Sequence, residues 1–401
     1  MKNYKILSLF LILITILGCN TKPKGPSHLS VGKSKLIKSG LALESINHLK
    51  EAEKIEEDRS EARALLVIAY SHGLATEAAK SFKREAEFIE ERKNRIAAMD
   101  DTEINKLIEI ISKQSQVQKS GLNALAEKGT EAAVQIVDHI VKKSYPDAQQ
   151  ILLSLLIQIG PDAVNPILDR INDAQINSSE KIKLISVIGD IGDKTALEKL
   201  QSIDTETMNS ALRMEILTTL YRLGDEKHKS EITKGLTSDN VGVRRASAKA
   251  MRDITNVNEN ILISSLKDTD TLVVSNIAKA LSVHKTKNAV KPLADILKSQ
   301  HGKSTKQAVI NTLTDYTKVK SDLSRGLAKH LAEMLINQEV SNAEDRVRVV
   351  QLLKNDSLVK QLKALRLVDD IDSRLYDYSQ KYEDSSFVKT ELNNLFEQIR
   401  K

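Results

Sequence analysis

The stretch Leu155-Leu156-Ile157-Gln158-Ile159-Gly160-Pro161-Asp162-Ala163-Val164-Asn165-Pro166-Ile167-Leu168 runs an apolar helix end into a glycine turn and then into a second apolar helix. It returns as Val187-Ile188-Gly189-Asp190-Ile191-Gly192-Asp193-Lys194-Thr195-Ala196-Leu197. The turns after successive first helices fall at Gly129, Gly160, Gly192, Gly224, Thr255, Lys285 and Thr317, in steps of 30 to 32 residues. A regular step of this size is the signature of a repeat array. One such unit cannot bury its apolar face alone, so neighbours must stack. At each turn an apolar residue (Ile159, Ile191, Leu223, Ile254) ends the first helix. Glycine then supplies a left-handed backbone at little cost. Asp162, Asp193 and Asp225 stand where a carboxylate caps the next helix, and Pro161 where a missing N–H is harmless.

Further residues give the units a family likeness. Ser238-Asp239 precedes Val243-Arg244-Arg245-Ala246-Ser247-Ala248-Lys249-Ala250-Met251, and Asp268 to Leu281 repeats the pattern with Val273-Val274, Ala278 and Ala280-Leu281. Ala289-Val290-Lys291-Pro292-Leu293 opens a second helix as Ala163 to Ile167 does. The units resemble HEAT repeats, more closely the short kind related to phycobilisome-lyase HEAT-like repeats, over roughly 116–338. The step is shorter than the ~40–47 residues usual for HEAT units, which favours compact two-helix hairpins. The resemblance implies an all-α fold: a right-handed α-solenoid of stacked helical hairpins, or HEAT-like superhelix. It says little of function.

The array expected over 101–340 has flanks of its own. In 36–100, Ala42, Ile46, Leu49, Ala52 and Ile55 form one helical stripe, and Ala62, Leu65, Leu66, Ala69 and Tyr70 a second, stopped at Gly73. Ala75, Ala78, Ala79, Phe82, Ala86 and Ile89 suggest a third. Ala42, Leu49, Ala52, Ala62, Leu66, Tyr70, Gly73 and Ala78 resemble one tetratricopeptide unit; a plain capping hairpin accounts for them equally. Over 341–401 the period slips, with helices expected at 343–354, 359–371 and 387–399. Tyr376, Tyr378, Tyr382, Phe387 and Phe396 gather there. Packing of a terminal cap is their simplest use, and a partner patch the alternative.

The chain begins with Lys2 and Lys5, then an apolar run from Ile6 to Leu17, then Gly18 and Cys19, the only cysteine among 401 residues. This is the layout of a signal peptide over 1–18, and the run is short of the ~20 residues that span a bilayer. Ile16-Leu17-Gly18-Cys19 resembles a bacterial lipobox, with Leu17 departing from the small residue usual there. The resemblance implies a diacylglyceryl group on Cys19 and a lipid anchor in a bacterial envelope membrane. An ordinary cleaved signal and a single anchor are the alternatives. Residues 19–35, with Pro23, Gly25, Pro26, Ser27 and Gly32, read as a flexible tether.

Hydrophobic residues make up 41%, charged residues 28% and aromatics 3%, with no Trp, so the expected core is aliphatic. The formal charge is +6, mixed in sign along the chain. That dispersal, with no aromatics among the basic residues, argues against nucleic acid. A lone cysteine excludes an internal disulfide or a multi-cysteine metal site. His28, His48, His72, His139, His228, His284, His301 and His330 show no ligand spacing, and no Gly-x-Ser-x-Gly elbow occurs. Gly32-Lys33-Ser34 and Gly302-Lys303-Ser304 lack the upstream glycine of a phosphate loop, with Ser27 and Leu297 in its place. No catalytic, cofactor or metal residue is therefore expected.

What remains is binding. Arg244, Arg245, Lys249 and Arg252 form the densest basic group of the array. In HEAT-like units the arginine beside the valine bonds along the stack to aspartates, which accounts for Arg244; Arg245, Lys249 and Arg252 are open to a partner or to the same use. Second helices are expected to line a binding face through Asn165, Asp169, Lys199, Lys291 and Asp295. The sequence reads as a lipid-anchored scaffold for a protein partner. A surface adhesin is one alternative. A lyase-like enzyme or subunit is another, although bilin lyases act in the cytoplasm and the export signal opposes it.

Overall fold

A computed structural model describes residues 26–73, 82–171, 173, 175–206, 208–318 and 321–400. The signal peptide expected over 1–18 and the Cys19 anchor lie outside the described residues. All regular structure among those residues is helical. The chain forms two compact units, the first ending at Ile176 and the second beginning at Asn177. The array expected over 101–340 is thus shared between them.

The first unit opens with His28–Ile37, where the tether was expected to continue to residue 35. The Ser27 hydroxyl accepts from the Ser30 amide and starts the helix, and Leu36 is buried on it. A hydroxyl cap and one apolar anchor suffice against a helix that follows. Ala42–Glu53 and Arg59–Gly73 come next and pack as a hairpin. Ala42, Leu49, Ala52, Ala62, Leu66 and Tyr70 are all buried, and the second helix stops at Gly73. The third stripe is a correction. Ala75, Ala78 and Ala79 lie outside the described residues, and on the Phe82–Ala98 helix Ala86 and Ile89 are exposed. Phe88 meets the core instead, edge-on to Tyr70 with centroids 5.3 Å apart. A ring buries far more apolar area than an alanine, so it sets the helix's rotation.

The four glycine turns have the expected backbone, whereas neither Thr255 nor Thr317 has positive φ. Gly129, Gly160, Gly192 and Gly224 all have positive φ. At the next two steps Asn256 (φ 54°) and Lys285 (φ 51°) take the same left-handed role without a glycine. Asp193 accepts from the Thr195 amide at 3.0 Å, and Asp225 from the Lys227 amide at 3.2 Å. Asp162 caps nothing. It sits inside a 3-10 turn, Gly160–Ala163, against Gly129, where any Cβ would lie 2.7 Å from its Oδ2. Pro146–Ile171 is apolar and long enough to cross a membrane, yet half of that window is buried. It is broken at Gly160 into Gln149–Ile159 and Val164–Ile171, which makes it a hairpin of the core.

In the second unit the first helices run Ser178–Ile191, Ser210–Arg222, Val241–Ala250, Thr271–His284 and Lys303–Thr317, each packed on the next. Their seam is apolar: Leu184, Ile188, Leu220, Val273, Ile277, Leu281 and Leu313 are buried. Each such side chain contributes roughly 1.5–3 kcal/mol by leaving water. Four second helices are shorter, Leu197–Gln201, Lys229–Lys234, Glu259–Ser265 and Val290–Asp295, three of them extended by 3-10 turns, whereas the fifth, Ser321–Ile336, has sixteen residues. The step alone does not fix this length, because Thr130–Val141 in the first unit has twelve residues at the same spacing and Ser321–Ile336, after Lys303–Thr317, has sixteen. Glu259–Ser265 packs on the first helix Thr271–His284, and Val290–Asp295 on both Lys303–Thr317 and the second helix Ser321–Ile336.

The end of the unit holds Ala343–Leu353, Asp356–Asp369, Ile371–Lys381 and Ser386–Arg400. The helix expected at 359–371 is cut at Asp370, whose φ is 47°. Of the five rings, Tyr378 and Phe396 are buried in the cap, whereas Tyr376, Tyr382 and Phe387 are exposed. Tyr378 donates to Glu383, which also takes Arg346 at 2.9 Å.

Candidate functional site

The first-helix layer of the second unit is knitted by ion pairs and side-chain hydrogen bonds. Arg244 holds Asp268 with two bonds, 2.7 and 3.2 Å, and donates to the Ser238 and Asp239 carbonyls. Arg245 holds Asp270 in the same forked way. Asp270 also caps the next helix, accepting from the Leu272 and Val273 amides. Its carboxyl lies below the usual value because Arg245 donates to it; burial opposes this and the cap amides assist. Arg222 spans Asp190 (2.8 Å) and Asp253 (3.0 Å). Lys249 reaches Asp190 (3.2 Å) and Ser186. Beneath them Glu215 is buried, and burial pushes its carboxyl above the usual value, with Lys249 and Arg222 pulling the other way. Gly189 makes room for this ladder: a Cβ there would meet Arg222 Nη1 at 2.8 Å.

Hydroxyls add to the seam. Thr219 donates to the Ile185 carbonyl, Thr312 to that of Ala278, and Tyr316 to those of Leu281 and Thr286. Helix ends leave carbonyls without internal partners. Tyr316 satisfies that of Leu281 at the end of Thr271–His284, while Thr219 and Thr312 bond interior carbonyls of the preceding helix.

The cleft between the turns at 299–303 and 340–342 belongs to this closed system. It encloses about 200 Å³. Its cations are already matched: Lys303 with Glu344 (2.6 Å), Lys306 with Asp345 (2.6 Å), Arg348 with Asp345 (2.6 Å) and Lys298 with Glu339 (2.7 Å).

The second-helix layer differs. A groove of about 650 Å³ lies open beside Lys229–Lys234 and Glu259–Ser265. Lys227, Lys229, Thr233, Lys234, Ile261 and Ser264 are among its lining. Acidic side chains nearby are engaged elsewhere. Glu231 pairs with Arg213 of the preceding first helix, Glu259 accepts from the Asn288 amide, and Asp225 takes the Gln201 amide group and the Lys227 amide. Lys227, Lys229 and Lys234 have no ion-pair partner among the described residues. Glu226 is the one carboxylate in the lining.

The residues singled out in the sequence divide accordingly. Arg245 and Lys249 are corrected from partner contacts to internal ties, as Arg244 was expected to be. Arg252 is half-buried. Asp295 is bound within the unit by Lys298 (3.0 Å) and His330 (3.1 Å). Lys199 and Lys291 are exposed on second helices of this unit, and Asn165 and Asp169 are exposed in the first unit. The sequence reading named second-helix residues and did not include those lining this groove. The missed signal was local: Lys227, Lys229 and Lys234 within eight positions, followed at once by Gly235.

No protein-family model matches the chain, and no curated protein matches it. Among solved structures, one described as an engineered protein aligns over 89% of this chain and 99% of its own length, at 16% identity and a TM-score of 0.38. That similarity carries no functional argument, and the site stands on its own geometry. His28 and His48 approach in the first unit (Nδ1 to Nδ1, 3.4 Å), but among the described residues no third histidine, cysteine or carboxylate completes a metal-binding group.

Proposed function

We propose that this chain is a binding scaffold for a protein partner, anchored through an acylated Cys19 to a bacterial envelope membrane. One observation carries the binding half: an open groove bearing three lysines without an ion pair, mounted on a layer in which Arg222, Arg244, Arg245 and Lys249 are held by aspartates. Loops and short elements held by a rigid frame are where recognition residues concentrate. The HEAT-like repeat phrase and the lipobox-like Ile16-Leu17-Gly18-Cys19 support the rest of the reading. The array's role is binding rather than catalysis, and it engages protein rather than nucleic acid.

Two experiments test it. A photoreactive residue at Ser264, activated in living cells, should yield one recurrent protein adduct, and that adduct should vanish when Lys227, Lys229 and Lys234 are replaced by Gln. The absence of any protein adduct ends the scaffold reading. Labelled fatty acid should enter the chain and fail to enter Cys19→Ser; equal labelling ends the anchor reading.

A further inference from the structure

We infer that the groove beside Lys229–Lys234 takes an extended, acidic polypeptide segment, its carboxylates on Lys227, Lys229 and Lys234 and its alternate side chains on Ile261 and the Thr233 methyl. This rests on the scaffold reading and names the partner's chemistry.

The charge argument comes first. Three ammonium groups face one carboxylate in the lining, and the neighbouring acids are committed to other bonds. Elsewhere in this unit, basic side chains such as Arg222, Arg244, Arg245, Lys249 and Lys306 are neutralised across the repeats. An incoming anionic segment would supply here what the chain supplies for itself there.

The lining also discriminates among anions. It has no arginine, the residue whose fork suits phosphate in two-point contacts. It has no aromatic ring on which a base could stack. Lysine offers a point charge on a flexible stem, and the stems themselves form apolar walls. Carboxylates at several angles are the fitting ligand. Lys229 and Lys234 are five residues apart on one helix, about 7.5 Å along its axis and about 140° apart around it, so they reach the groove from different sides. Glutamate side chains two apart on an extended strand repeat every ~6.6 Å, and their flexible stems and those of the lysines span the remaining difference.

The test uses the purified full chain and a fluorescein-labelled twelve-residue peptide of alternating Glu and Ala, read by fluorescence anisotropy at low salt. Saturable binding is expected, and the matching Gln-Ala peptide should not bind. K227Q/K229Q/K234Q should weaken binding at least tenfold with an unchanged melting curve. K279Q/K360Q/K363Q, which removes the same charge from exposed sites elsewhere in this unit, should change it less than twofold. Equal weakening by both triple variants, or no discrimination between the two peptides, overturns the inference. So does lysine-dependent sedimentation with phosphatidylglycerol vesicles when the Glu-Ala peptide fails to bind, since a lipid surface is then the occupant. A lysine-dependent protein adduct at Ser264 with no preference for the acidic peptide would remove this inference and leave the scaffold reading standing.

Discussion

The two helix layers of the second unit follow from one repeat phrase yet have opposite chemistry. First helices of ten to fifteen residues share a buried seam, and Arg222, Arg244 and Arg245 on them are matched across repeats, although Lys181 and Lys279 have no ion pair among the described residues. The second helices Leu197–Gln201, Lys229–Lys234 and Glu259–Ser265 have five to seven α-helical residues, and beside the latter two lies a groove lined by three lysines without an ion pair. One layer acts as the frame, and this stretch of the other is the open surface.

If that contrast is right, damage to the frame should cost far more stability than damage to the groove. The largest effect is expected from Asp345→Ala. Asp345 is the acceptor for both Lys306 and Arg348, whose side chains are only 6% and 17% exposed. Removing one partner of a buried pair costs about 3–5 kcal/mol, and a denaturant titration reads it. Gly235→Ala comes next. Gly235 follows the Lys229–Lys234 helix and lies so close to the Val241–Ala250 helix that a Cβ would stand 2.1 Å from the buried Ser247 hydroxyl. Overpacking of this kind costs about 1–3 kcal/mol. It should also loosen the groove wall, so peptide anisotropy and melting should fall together.

The ladder supplies a pH test with two signs. Asp270 is held below its ordinary value, first by Arg245. Its stabilisation is complete above the unfolded value near 3.8 and is lost as pH falls through the folded one. Glu215 is raised by burial, so its contribution is complete below the ordinary 4.5 and declines as pH rises beyond it. Glu215→Gln should flatten the decline above pH 4.5, and Arg245→Ala should blunt the loss on the acid side. An unchanged profile in both would break the ladder. Arg245 is nearly half exposed, and its truncation should cost only about 0.2–1 kcal/mol and less in high salt. The smallest stability effect belongs to K227Q/K229Q/K234Q, within about 0.5 kcal/mol of the parent. A larger loss would mean that these lysines belong to the frame after all.

Much of this was legible in the chain before folding. Glycine at 129, 160, 192 and 224 marked left-handed turns because that backbone is a local property. Buried Ala42, Leu49 and Tyr70 followed from helical spacing. Ala86 and Ile89 misled, because spacing cannot say which of two stripes on a helix a larger ring such as Phe88 will displace. Arg245 and Lys249 misled for another reason. Their partners, Asp270 and Asp190, stand 25 and 59 positions away, and the second lies two repeats back.

The sequence alone determined the helical class, the register of the turns and the apolar seam, since each depends on residues within a turn or two of one another. Tertiary structure decided which charges cancel, which carboxyl is buried and which lysines stay open. Those outcomes depend on distances between repeats, and a few ångströms there separate a tie from a binding surface.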